Sequence, residues 1–92
     1  MPSFNVTNSP QQVLPARRRK ALILVNAADV PLYLSVTGNA QVTAAAGANS
    51  GLPLQPGQSL TLGPNTGTAN NHAIFAVHAG QGGKELRYEE AL

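Results

Sequence analysis

Lys20-Ala21-Leu22-Ile23-Leu24-Val25-Asn26 places five apolar side chains in a row, two of them β-branched, between a cation and an amide. A strand turns alternate side chains to opposite faces, so a run that is apolar on both is read as a central or doubly covered strand. Asn26 to Pro31 then turns the chain. Leu32-Tyr33-Leu34-Ser35-Val36-Thr37 alternates, with Leu32, Leu34 and Val36 on one face and Tyr33, Ser35 and Thr37 on the other, the pattern of a half-buried strand. Gly38-Asn39 suits a tight turn, and the small-residue segment 42–51 is too short and too broken by glycine for a helix, so it reads as loop.

The same rhythm continues toward the end of the chain. Pro56-Gly57 turns between short extended pieces, and Gln58-Ser59-Leu60-Thr61-Leu62 resumes alternation. A polar loop over residues 63–71 leads to His72-Ala73-Ile74-Phe75-Ala76-Val77-His78, a second run apolar on both faces and so a second central strand. Gly80-Gln81-Gly82-Gly83 makes a hairpin into Lys84-Glu85-Leu86-Arg87-Tyr88-Glu89, where Leu86 and Tyr88 oppose the charged positions. About six strands and no helix predict one all-β domain over residues 13–92, a small sandwich or barrel of jelly-roll or Greek-key type. Residues 1–12, with Pro2, Pro10 and a polar centre, read instead as an extended N-terminal arm anchored on a partner by Phe4 and Val6.

Ninety-two residues are too few for two domains, and fourteen of the apolar residues are alanine, so the predicted core is thin. A chain of this size without cysteine has no disulfide to supplement that core, which favours association with a partner. Charge is confined to two places: Arg17, Arg18, Arg19, Lys20 and Asp29 near the front, and Lys84, Glu85, Arg87, Glu89 and Glu90 near the end. The 54 residues from 30 to 83 contain no Asp, Glu, Lys or Arg. Surfaces that pack against protein neighbours shed charge because desolvating it is costly, so this silence predicts extensive protein contact. No apolar run approaches the roughly 18–20 residues of a membrane-spanning helix, and Met1-Pro2-Ser3-Phe4-Asn5 lacks the basic and apolar regions of a secretory signal. The expectation is a protein that stays in the compartment where it is made.

The candidate chemistry is sparse. Four basic residues at 17–20 attract phosphates in principle, but at the head of a strand only two would share a face, and no aromatic residue is interleaved for base stacking. The reading is therefore against direct nucleic-acid binding and for an electrostatic contact of Arg17, Arg18 and Arg19 with acidic groups of a protein neighbour. His72 and His78 stand about 20 Å apart on a regular strand, too far for one metal ion, and no third ligand accompanies them. Ser35 or Ser59 with a histidine and Asp29 makes a triad only on paper, and Gly80-Gln81-Gly82-Gly83-Lys84 lacks the spacing and the Ser or Thr of a phosphate loop. Asn5-Val6-Thr7 fits a glycosylation sequon, without a signal to expose it to the machinery. No enzyme activity, cofactor or metal is predicted. Tyr33, on the polar face of its strand, is the one aromatic platform that would suit a carbohydrate.

Taken together, the Leu14-Pro15-Ala16-Arg17-Arg18 lead-in, the Leu22–Asn26 strand, Leu32-Tyr33-Leu34, the Gly51-Leu52-Pro53-Leu54-Gln55-Pro56-Gly57 segment, Ala73–Val77 and Glu85-Leu86-Arg87-Tyr88 give the chain a definite rhythm. It resembles the small β-sandwich structural proteins of tailed bacteriophages that decorate or cement the capsid. The resemblance covers residues 13–90 and rests on strands and turns. It implies a non-enzymatic virion protein, assembled in the host cytoplasm, that forms a homotrimer and bridges neighbouring major capsid subunits. The expected interface residues are Phe4, Val6, Arg17, Arg18, Arg19 and Tyr33. The alternative is a carbohydrate- or receptor-binding module of a tail or fibre.

Overall fold

A computed structural model describes residues 2–63 and 71–92, so Met1 and most of the loop expected over 63–71 lie outside the described residues. Among the described residues eight strands follow in order: β1 Ser3–Val6, β2 Gln11–Leu14, β3 Ala21–Asn26, β4 Leu32–Ser35, β5 Leu52–Leu54, β6 Ser59–Leu62, β7 Ile74–Val77 and β8 Lys84–Ala91. One four-stranded sheet has the order β1-β8-β3-β6 and the other β2-β7-β4-β5. Every pairing is antiparallel.

The topology follows from one long hairpin. β4 pairs with β5, β3 with β6, β2 with β7 and β1 with β8, as if the chain were folded double at the β4–β5 connection. Rolling that ribbon closes β3 against β8 and β4 against β7, which splits it into two sheets. This is the eight-stranded jelly roll, and it bears out the predicted all-β sandwich. The two runs that are apolar at successive positions, in β3 and β7, occupy interior places in their sheets, flanked on both sides by neighbours.

Between the sheets, Leu22 and Leu24 of β3, Leu86 of β8 and Leu62 of β6 meet Leu32 and Leu34 of β4, Ile74 and Ala76 of β7 and Leu54 of β5. All are buried. Leu92 excepted, the large apolar side chains left most open are Leu52 and Ile23, on an edge strand and an outer face respectively. In β8 the alternation is as expected: Leu86 and Tyr88 face the core, while Glu85, Arg87 and Glu89 face out.

Residues 2–12 are not a free arm. β1 is the edge strand of the first sheet, with Phe4 opposite Leu86 and Val6 opposite Lys84, and Val6 is completely buried in the core. β2 likewise edges the second sheet and brings in Val13 and Leu14. The apolar anchors expected to grip a partner are used within the chain. The physical reason is that each sheet otherwise ends on a bare central strand, and pairing is the cheapest way to satisfy its main-chain groups.

β4 ends at Ser35, two residues short of the predicted strand end at Thr37, and the long β4–β5 connection that follows, residues 36–51, is a loop over 42–51 as expected, yet an ordered one. Ser35 Oγ accepts from the Asn39 amide at 2.9 Å, and Thr43 N donates to Asn49 O at 2.8 Å. Val42 is buried although it lies outside the cluster between the sheets, and so is Val77 on the outward row of β7. The loop folds back over the outer face of the second sheet and covers that row. Gly51 permits this close approach: a Cβ there would lie 2.7 Å from Val42 Cγ2 and 3.0 Å from Leu34 N and Tyr33 C. Two of those neighbours are main chain and yield little, so Gly51→Ala is expected to destabilise by about 1–3 kcal/mol. Urea denaturation checks this, and an unchanged midpoint would show that the flap is free to shift.

Candidate functional site

The strands of the second sheet read Gln-Gln-Val-Leu, Ile-Phe-Ala-Val, Leu-Tyr-Leu-Ser and Leu-Pro-Leu, with no charged residue in any of them. In the first sheet every strand charge belongs to β8. The jelly roll therefore sorts the chain into a charged face and an uncharged one. The 54-residue silent stretch contributes β4, β5 and β7 together with the flap to this sheet and β6 to the other, and β2 completes the uncharged sheet without adding charge.

On the uncharged outer face Tyr33 stands between its cross-strand partners Val77 and Pro53, and Phe75 stands opposite Gln12 and Ser35. Tyr33 and Phe75 are both half-buried. Beside them an open groove of about 510 Å³ runs between Asn8 and Pro10 on one wall, the flap residues Val42 to Ala45 on another, and Val77 to Ala79 beneath. Its lining is largely small and apolar, which suits close approach of another main chain more than capture of a charged ligand.

The basic run does not open a strand, because β3 begins only at Ala21. As a loop, it is free to send its side chains in different directions. Arg19 turns inward: its side chain is fully shielded, its Nε meets Glu90 Oε2 at 2.5 Å, and its terminal nitrogens donate to His72 O and Pro15 O. Arg17 is more open and grips the same carboxylate through Nε at 2.8 Å and through Nη2. The Arg17 hydrogen bond is the main reason that the Glu90 carboxyl titrates below its usual value; partial burial opposes the shift and Arg19 adds to it. Arg18 and Lys20 remain exposed. Of the three arginines expected at an interface, Arg19 is internal, Arg17 is shared with Glu90, and Arg18 alone points outward without an ion pair among the described residues.

The opposite end gathers other polar groups. Asn26 is fully buried, donates through Nδ2 to Val30 O at 2.9 Å and Leu54 O at 2.7 Å, and accepts from Ala28 N through Oδ1 at 2.7 Å. His78 is buried just after β7, accepting from Gly80 N at Nδ1 and meeting Gly82 O with Nε2 at 2.8 Å. That pair of partners fits the neutral ring with its proton on Nε2. The Lys84 ammonium holds Asp29 at 2.9 Å, which with a main-chain bond lowers the aspartate below its usual range. Ser35, His78 and Asp29 are each engaged elsewhere and do not meet. Among the described residues no three His, Asp or Glu side chains come together as a metal site, and no helix is long and apolar enough to cross a membrane.

Sequence reasoning passed over Asn26 and Glu90. An asparagine at the last strand position before a turn is a usable signal, since its side chain bonds the main chain two residues on. Glu90 gave none, because its partners are more than seventy positions away. No protein-family model, curated protein or solved structure matches the chain.

Proposed function

We propose that the chain is a non-enzymatic structural protein of a tailed-phage virion, a capsid decoration or cement protein that works as a homotrimer and bridges neighbouring major capsid subunits. The observation that carries this reading is the whole uncharged face, sheet and flap together. Such a face docks on protein without stripping water from charges, and its alanines and glycines let main chains approach closely. Repetition over a shell multiplies modest contacts into stable attachment. The charged face with Glu85, Arg87 and Glu89 then faces solvent.

The test compares the full-length protein with Ala45→Asp and Thr61→Asp, added to particles assembled without this chain. Ala45 lies exposed on the flap and Thr61 exposed on the other sheet. Ala45→Asp is expected to weaken attachment at least about tenfold, the effect of about 1.4 kcal/mol, whereas Thr61→Asp leaves it unchanged. Failure of the unaltered protein to attach overturns the reading. The half-buried position of Tyr33 on the same face favours carbohydrate as the second reading. A glycan-array signal that is lost in Tyr33→Ala, with no attachment to particles, would move that reading to first place.

A further inference from the structure

We infer that β1 is an exchangeable strand, and that its slot along β8 receives the β1 of a second copy of this chain when the protein self-associates. The inference draws its context from the assembly reading above but stands on the geometry of β1. That strand has one neighbour in the sheet, β8, and is otherwise an edge. Two side chains enter the core from it, Val6 completely and Phe4 in part. Main-chain bonds bracket it, Tyr88 N to Pro2 O at 3.0 Å and His78 N to Thr7 O at 3.1 Å.

The slot is shaped for this sequence. Gly83 has no side chain where the Asn5 carboxamide rests, and a Cβ there would overlap that group. Leu86 lies opposite Phe4, and Lys84 opposite Val6. An identical strand from another copy reproduces each of these contacts, so exchange changes only the joint. The joint is residues 7–10, which cross from one sheet to the other. Asn8, Ser9 and Pro10 are exposed, and the turn is held by weak bonds at 3.3 Å between Thr7 Oγ1 and Ser9. Pro10 fixes φ and prefers an extended residue before it, which resists the tight reversal and favours an opened joint. Short joints under such constraint are where strand exchange arises. Where copies are held close together, effective concentration supplies the remaining drive. The sequence expectation of an arm on a partner and the observed edge strand are then the same contacts made between chains and within one.

The absence of cysteine makes the test direct. Asn5 and Glu85 are cross-strand partners on the outer face, at a spacing that a disulfide spans. One chain carrying Asn5→Cys and another carrying Glu85→Cys are refolded together at high concentration and oxidised. A disulfide-linked species with one chain of each kind is expected, and Asn5→Cys mixed with Thr61→Cys is expected to give none. A signal no stronger than that control, together with a double variant Asn5→Cys/Glu85→Cys that closes only within single chains, overturns the inference. Ser3→Cys with Arg87→Cys repeats the test at a second register pair should the first variants fold poorly. Sedimentation of the unaltered protein separates the two proposals. Self-association without cross-linking removes strand exchange and leaves the assembly reading, whereas cross-linking without particle attachment does the reverse.

Discussion

Glu90→Gln is expected to lower folding stability by about 3–5 kcal/mol, because it takes the carboxylate away from a guanidinium that has no contact with solvent. The change keeps the shape of the side chain, so packing is a minor part of the effect. What changes is that Arg19 faces main-chain carbonyls in place of an anion, and a buried cation without its counter-charge carries the full penalty of lost hydration. Arg17→Gln is milder, since Arg19 still meets Glu90 and the Arg17 side chain is nearly half exposed. Urea denaturation read at constant slope reports both, and for a domain of this size the Glu90→Gln loss corresponds to a fall in Tm of more than about 10 °C. A midpoint within experimental error of the parent would mean that the cluster is an ornament of the surface.

The same cluster sets an acid limit. Glu90 titrates below its ordinary value near 4.5 in the folded chain. A carboxyl whose pKa is depressed by folding contributes stability that is fully present above the ordinary value and is lost as pH falls through the folded value. The Glu90 contribution to the parent's stability is therefore constant at neutral pH and declines below about 4.5. Glu90→Gln, already without that contribution, shows a shallower decline. Asp29 shifts in the same direction, but it is exposed and salt screens its pairing with Lys84.

Why the acid cluster escaped sequence reading is the same reason that β1 and β2 did. Alternation and doubly apolar runs are local signals, and they mark β3, β4, β6, β7 and β8 because those strands carry enough apolar side chains to show a period. Ser-Phe-Asn-Val and Gln-Gln-Val-Leu are four residues each and half polar. Their strand state comes from β8 and β7, sixty or more positions away along the chain, and nothing in the segments themselves records it. Arg19 was legible as a charge but not as a buried one, because its shielding depends on a loop and on Glu90 meeting it at the far end of β8. The silence in charge was legible in full. That most of it gathers on one face follows from the roll: pairing β4 with β5 and β7, and β7 with β2, collects three of its four strands into one sheet, while β6 joins the other.

Asn26→Ala is expected to cost about 3 kcal/mol, near 1 kcal/mol for each of three buried hydrogen bonds, and to do so although the position reads as the end of a strand. One amide ties three segments. Its Nδ2 joins the β3–β4 turn at Val30 to the end of β5 at Leu54, and its Oδ1 holds the Ala28 amide in the same turn. The Asn26 main chain adds bonds with Gln58 and Gly57, so β5 and β6 are registered on it as well. Asn26→Asp separates hydrogen bonding from size. A carboxylate keeps the bond to Ala28 N but turns an acceptor toward the carbonyls of Val30 and Leu54, so at neutral pH it is expected to be worse than alanine. On acidification the protonated carboxyl donates to one of those carbonyls. Burial among carbonyls raises the pKa of that carboxyl, so the aspartate variant should recover part of its deficit as pH falls from neutrality toward the ordinary carboxylate range, a window in which the Glu90 contribution is constant in both proteins. A gap between the urea midpoints of variant and parent that narrows as pH falls toward the ordinary carboxylate range identifies hydrogen-bond polarity at Asn26 as the quantity that holds this end of the roll; a gap that stays constant would assign its role to volume alone.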